Sequence, residues 1–131
     1  MEAKWINKYI GIPYAKFGRD FSGCDCFGLL HLVYRKEFNH TLPDFINDYS
    51  DKESMRDLIN YNIPILAGTP TDEPELGDIV VFNFFNMPIH LGIYINKNLV
   101  LHTLEKSDSC VERMNSHRLK GRLHGFYKYK R

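Results

Sequence analysis

An α+β fold, helices first and an antiparallel sheet second, is predicted by three observations. Apolar residues recur at helical spacing only in the first half of the chain, above all from Cys26 to about Phe38. From Ile79 onward the pattern changes to short runs of β-branched and aromatic residues separated by turn residues. Segments of one type followed by segments of the other are the signature of an antiparallel sheet packed on one side by helix, here the helix that starts at Cys26.

The elements follow in order. Residues 3–10 form a short helix presenting Trp5, Ile6 and Tyr9 on one side. Residues 11–23 read as loop, punctuated by Pro13, glycines and Ser22. The Cys26 helix is buried, carrying Phe27, Leu29, Leu30, Leu32, Val33 and Tyr34, and Leu42-Pro43-Asp44 ends that region. A short exposed helix over 51–61 is capped by Ser50 or Asp51. Strands are expected at 79–85, 90–95, 99–103, 110–114 and 125–129, with Asn96-Lys97-Asn98 turning the second into the third.

The 131 residues make a single domain, 1–131, with one core; 44% are hydrophobic and 14% aromatic. A net charge of +1 provides no basic field for a nucleic acid partner. No run approaches the ~20 apolar residues of a membrane span, and the N-terminus lacks the apolar stretch of a secretory signal. The expected location is therefore the cytoplasm, or a particle that leaves the cell without that export route. Three cysteines are an odd number, and Cys24 and Cys26 are too close for an ordinary disulfide, so reduced thiols are expected.

Cys26 stands at the first turn of its helix, where unpaired N–H groups and the helix dipole favour thiolate, the attacking form. A nucleophilic thiol needs an imidazole base and a group that orients the imidazole. Strand parity selects two of the six histidines. With a three-residue loop at 96–98, Gly92 faces His102, and His90 lies one step away on the same sheet face, about 7–8 Å diagonally. A two-residue loop would separate the two rings onto opposite faces. Gly92 leaves room for the rings or marks a bulge. His31, His40, His117 and His124 are assigned structural or surface roles. Cys24 is open to three readings: a buried small hydrophobe, an oxidisable partner that shuts off Cys26, or a metal ligand; no zinc-like second pair accompanies it. Cys110 is assigned to the core. No metal and no cofactor are called for.

Four pieces in order, GIPYAKFGRDFSGCDCFGLL, ELGDIVVF, IHLGIYI and LVLHT, resemble the NlpC family of papain-like cysteine peptidases over about residues 5–129. The resemblance implies a papain-like fold with Cys26 as nucleophile, His90 as general base and His102 as orienting residue. It places Tyr14 beside the nucleophile, to support the oxyanion with the Cys26 N–H, where the residues alone leave a loop aromatic open. Asp25 matches an acidic residue that binds the free amine of the stem peptide in some members; its alternative is a helix N-cap. Phe27 stands where serine is more usual and bears on the substrate pocket, and Arg19 replaces a common second glycine. The implied activity is hydrolysis of peptidoglycan stem peptides, at the bond after D-γ-glutamate. The segments at both termini are similar to versions from phage tails, which implies a virion location and other tail proteins as partners. Acyl transfer or amidase chemistry on another substrate, and a non-enzymatic assembly role, remain as alternatives.

Overall fold

The computed structural model describes residues 4–43, 51–57, 59 and 69–128. Eight strands and one long helix are present among them: β1 Arg19–Asp20, β2 Gly23–Cys24, α1 Cys26–Glu37, β3 Pro70–Thr71, β4 Ile79–Phe84, β5 Met87–Asn96, β6 Leu99–His102, β7 Cys110–Arg113 and β8 Leu123–Tyr127. β1 and β2 form a small ribbon, and the other six make one sheet in the order β3-β8-β4-β5-β6-β7. All its pairs are antiparallel. The α+β class and the strand-rich second half are as the residue pattern predicts.

The chain starts with a 3-10 helix, Lys4–Tyr9, rather than an α-helix. Three residues per turn put Ile6 and Tyr9 on one line, and both are buried. Trp5 meets Tyr9 and Phe38 edge-on at 5.9 and 5.8 Å. Residues 52–57 are helical, with Asp51 as the cap: its Oδ1 accepts from the Ser54 N–H at 2.8 Å. Ser50 and the expected end of that helix lie outside the described residues.

Sheet parity divides the core. Odd-numbered residues Ile79, Val81, Leu91, Ile93 and Leu101 join Phe27, Leu30 and Tyr34 of α1 in the main cluster. Even-numbered Val80, Phe82 and Val100 pack on the opposite face with Leu119. Each such side chain buried contributes about 1.5–3 kcal/mol. The Tyr34 hydroxyl donates to the Gly77 carbonyl at 2.5 Å, pinning α1 to the start of β4.

β5 departs from regular pairing twice. Phe82 pairs with His90 but Asn83 with Pro88, so Ile89 is an extra residue. Tyr94 pairs with Val100 but Asn96 with Leu99, so Ile95 is another. The turn to β6 is therefore two residues, Lys97 and Asn98, both with positive φ. The predicted three-residue loop is thus corrected. The bulge at Ile95 supplies the missing residue, so the Ile93↔Leu101 register still keeps His90 and His102 on one face.

The boundaries differ elsewhere as well. β5 begins at Met87 because Phe85 and Asn86, at φ 54° and 60°, close a tight hairpin without glycine. β8 begins at Leu123, two residues before the predicted start. β1, β2 and β3 are two residues each, too short for any periodicity to mark them.

Candidate active site

The nucleophile candidate is placed by its own helix start. Asp25 is the N-cap of α1, accepting the Gly28 N–H at 2.8 Å, and Cys26 is the first helical residue. The second Asp25 oxygen accepts the Phe17 N–H at 2.7 Å, and Arg19 lies 3.3 Å from the first. Gly28 permits this turn because an added Cβ would collide with the Gly18 carbonyl. The Leu91 and Phe27 backbone N–H groups are directed at the Cys26 sulfur, a sheet strand and the helix meeting at one atom.

Burial nevertheless pushes the Cys26 thiol up to about 12, the Asp25 charge adding to it and the two N–H groups opposing it. The pull toward thiolate expected at the helix start is present in the Phe27 N–H, but burial opposes it and is the larger effect. Burial, followed by its neighbours His102 and Arg118, holds His90 well below the usual imidazole value; burial also lowers His102, against the pull of Glu112. Both rings are neutral.

Their hydrogen bonds then fix where each proton sits. His90 Nε2 and His102 Nδ1 are 2.8 Å apart, and His102 Nε2 is 2.7 Å from Glu112 Oε1. Burial would raise the Glu112 carboxyl, but hydrogen bonds from Arg118, Ser116 and His102 hold it down at about 2, so it is ionised and only accepts. His102 Nε2 must therefore donate to it. A neutral imidazole has one N–H, so His102 Nδ1 accepts and His90 Nε2 donates. The remaining nitrogen of His90, Nδ1, carries a free lone pair, the form a general base requires.

Glu112 is itself clamped. Arg118 donates to its two oxygens at 2.7 and 3.2 Å, and the Ser116 hydroxyl donates at 2.6 Å. Gly92 lets the chain approach: a Cβ there would stand 2.5 Å from Val100 Cγ2 and 3.3 Å from His102 Cβ. The bulges of β5 fall elsewhere, so close approach is its role.

Cys26 and His90 line one cavity of about 200 Å³ together with Tyr14, Phe84, Ile89 and Thr103. Beside it lies a larger open cleft of about 530 Å³, also lined by Tyr14 and Cys26, with Lys16, Asp25, Lys52 and Glu105. Burial, then the neighbouring Cys26 and Asp25, push the Tyr14 hydroxyl above its usual value, leaving it a proton donor. Tyr14 is held beside the nucleophile by a backbone bridge to Cys24.

The structure thus brings together Cys26, Tyr14 and His90, with His102 behind His90. Asp25 reaches the cleft wall with its carboxylate engaged internally, as the cap. Phe27 has no exposed surface; its ring lies in the core with the Arg19 guanidinium 5.1 Å from its centre. Cys24 is a fully buried core residue, its thiol pushed up to about 12 by burial, which fits the small-hydrophobe reading. Cys110 is half-buried beside Arg118, at 3.6 Å.

Glu112, Ser116 and Arg118 escaped the sequence reading. The predicted strand at 110–114 held the signal: the pairing of His102 with Cys110 and Val100 with Glu112 puts Glu112 on the face of the imidazoles. His102, Cys110 and Glu112 could offer donors to a metal within 4.8 Å of one another. The Arg118 guanidinium occupies the same ground and opposes a cation there.

Comparison with known proteins agrees with this fold. The chain is 27% identical over 105 residues to the murein DD-endopeptidase MepS/murein LD-carboxypeptidase of Escherichia coli, covering 80% of this chain and 49% of that protein. It thus spans about half the length of the curated relatives it matches. The NlpC/p60 domain of the peptidoglycan hydrolase SagA superposes with a TM-score of 0.64 at 17% identity, covering 94% of this chain and 92% of that one. RipD of Mycobacterium tuberculosis, described as a non-catalytic NlpC/p60 domain protein adapted to peptidoglycan binding, gives 0.57 at 14% identity, covering 95% and 88%. The model of the NlpC/P60 family matches residues 11–128, which takes in the helix start at Cys26, the imidazole pair and Glu112. On that match, and with a fold shared across these structures, the chain belongs to the NlpC/P60 family.

Proposed function

We propose that this protein is a cysteine peptidase that hydrolyses amide bonds of peptidoglycan stem peptides. The observation that carries the reading is the unbroken hydrogen-bond chain Glu112–His102–His90, ending in the cavity that His90 shares with Cys26. The likeness to MepS, a murein endopeptidase, and to SagA, a peptidoglycan hydrolase, supports the substrate class.

Because thiol and imidazole are both neutral at rest, proton transfer accompanies attack. Cys26 Sγ bonds to the scissile carbonyl carbon as its proton passes to His90 Nδ1. The His90 imidazolium is stabilised by its donation to His102, and through His102 by the Glu112 charge. The oxyanion accepts from the Cys26 N–H, which has no intrahelical partner in the first turn, and from the Tyr14 hydroxyl. His90 then protonates the leaving nitrogen, and the C–N bond breaks to leave a thioester. Water, deprotonated by His90, attacks the thioester; the acid leaves and the proton returns to sulfur.

Purified protein incubated with cell walls should release new amino groups. Cys26→Ala should abolish the release, and Cys24→Ala should retain most of it. Product masses distinguish the bond after D-γ-glutamate, which the motifs favour, from the D,D linkage in the MepS name. No amine release under conditions where an authentic peptidase works would overturn the reading.

A further inference from the structure

His90 must reach the leaving nitrogen, so the amine half of a substrate runs past His90, away from the cleft on the Cys26 side. What lies there is a second cavity. His90 meets Phe84 edge-on, ring centres 5.5 Å apart, and the Arg122 guanidinium lies 4.3 Å over the same Phe84 ring. Arg122 and His124 then line an open cavity of about 510 Å³ with Asn83, Phe85, Asn86 and Pro88.

This cavity is polar and cationic, and no acidic side chain lines it. Arg122 Nε donates to the Arg118 carbonyl at 3.0 Å, which fixes the guanidinium plane on Phe84. No ion pair joins Arg122 to a carboxylate among the described residues. Val81 pairs with Gly125 but Phe82 with Leu123, so His124 is an extra residue of β8, exposed at the cavity. Phe85 is the wall between this cavity and the active-site cleft: it lines all three spaces, is 69% exposed, and holds a left-handed φ of 54° at the hairpin tip. Bulky residues rarely adopt that conformation, and such strain concentrates at functional sites.

We propose that Arg122, assisted by His124, binds a carboxylate on the amine half of the substrate, with Phe85 as the wall over which that half passes. The inference rests on the hydrolase reading for its direction along the cleft. A planar guanidinium offering two donors suits a carboxylate.

The test is binding rather than turnover. Cys26→Ala protein is titrated with the dipeptide L-lysyl-D-alanine and with its C-terminal amide, followed by NMR signals of the Arg122 and His124 side chains. The free acid should shift those signals and bind about tenfold or more tightly than the amide, the worth of one charge-assisted hydrogen bond. Arg122→Gln should remove the difference, and Arg122→Lys should keep part of it. Equal binding of acid and amide, no binding of either, or shifts confined to other residues would overturn the subsite. Acid-selective shifts in a protein that releases no amines from cell walls would leave the subsite standing and remove the hydrolase reading.

Discussion

At the residue scale, the charge of Glu112 decides which nitrogen of His90, one ring further on, is free to take a proton. Glu112→Gln keeps the shape and removes the charge, and an amide can present either oxygen or N–H to His102. The expected result is a loss of about 10- to 100-fold in kcat with little change in KM, because Glu112 does not line the cleft. The pH profile follows from the same neutral groups. His90 acts as base when unprotonated and its value lies below 6.5, so kcat/KM should fall only as pH drops below 6.5. The thiol, raised to about 12, should give no alkaline break near its ordinary 9.0. A profile with a limb between pH 7 and 9 would contradict this assignment.

At the element scale, the site is an intersection of one helix start with three adjacent strands. Gly92→Ala would push β6 from β5 at Val100 and His102; a loss of about 1–3 kcal/mol in denaturant unfolding is expected, with activity lost beyond what stability explains. Asp25→Ala removes the cap of α1 and the anchor of the Phe17 N–H, and should cost about 1–2 kcal/mol. Much of this was legible in the residues: the cysteine at a helix start, the shared parity of His90 and His102, and the need for a small residue at 92. Three things were not. Glu112 required a strand register that the 103–109 connection does not reveal. The β4–β5 turn is made by Phe85 and Asn86, without the glycine that marks such turns. The thiol's raised value comes first from desolvation, a property of what surrounds Cys26 after folding, with the adjacent Asp25 charge adding to it.

At the scale of the whole molecule, the buried ionisable groups of the site tie activity to acid stability. His90 and His102 stay neutral when folded, so below about 6.5 the unfolded chain takes up protons that the folded one refuses, and stability falls. Glu112, held at about 2 against an ordinary 4.5, stabilises the fold above 4.5 and loses that contribution as pH falls toward 2. The thermal midpoint should therefore decline from pH 7 to 3, and Glu112→Gln should flatten the part below pH 4.5; an unchanged acid slope in that variant would refute the linkage. The odd residue at Ile95 has a further consequence, for changes of chain length. Removing Ile95 would leave Tyr94↔Val100 and Asn96↔Leu99 as regular neighbours and both imidazoles on one face, whereas removing Leu91, between His90 and Gly92, would turn His90 to the other face. Single-residue edits to this hairpin should accordingly be tolerated at Ile95 or at the Lys97-Asn98 tip and abolish activity at Leu91.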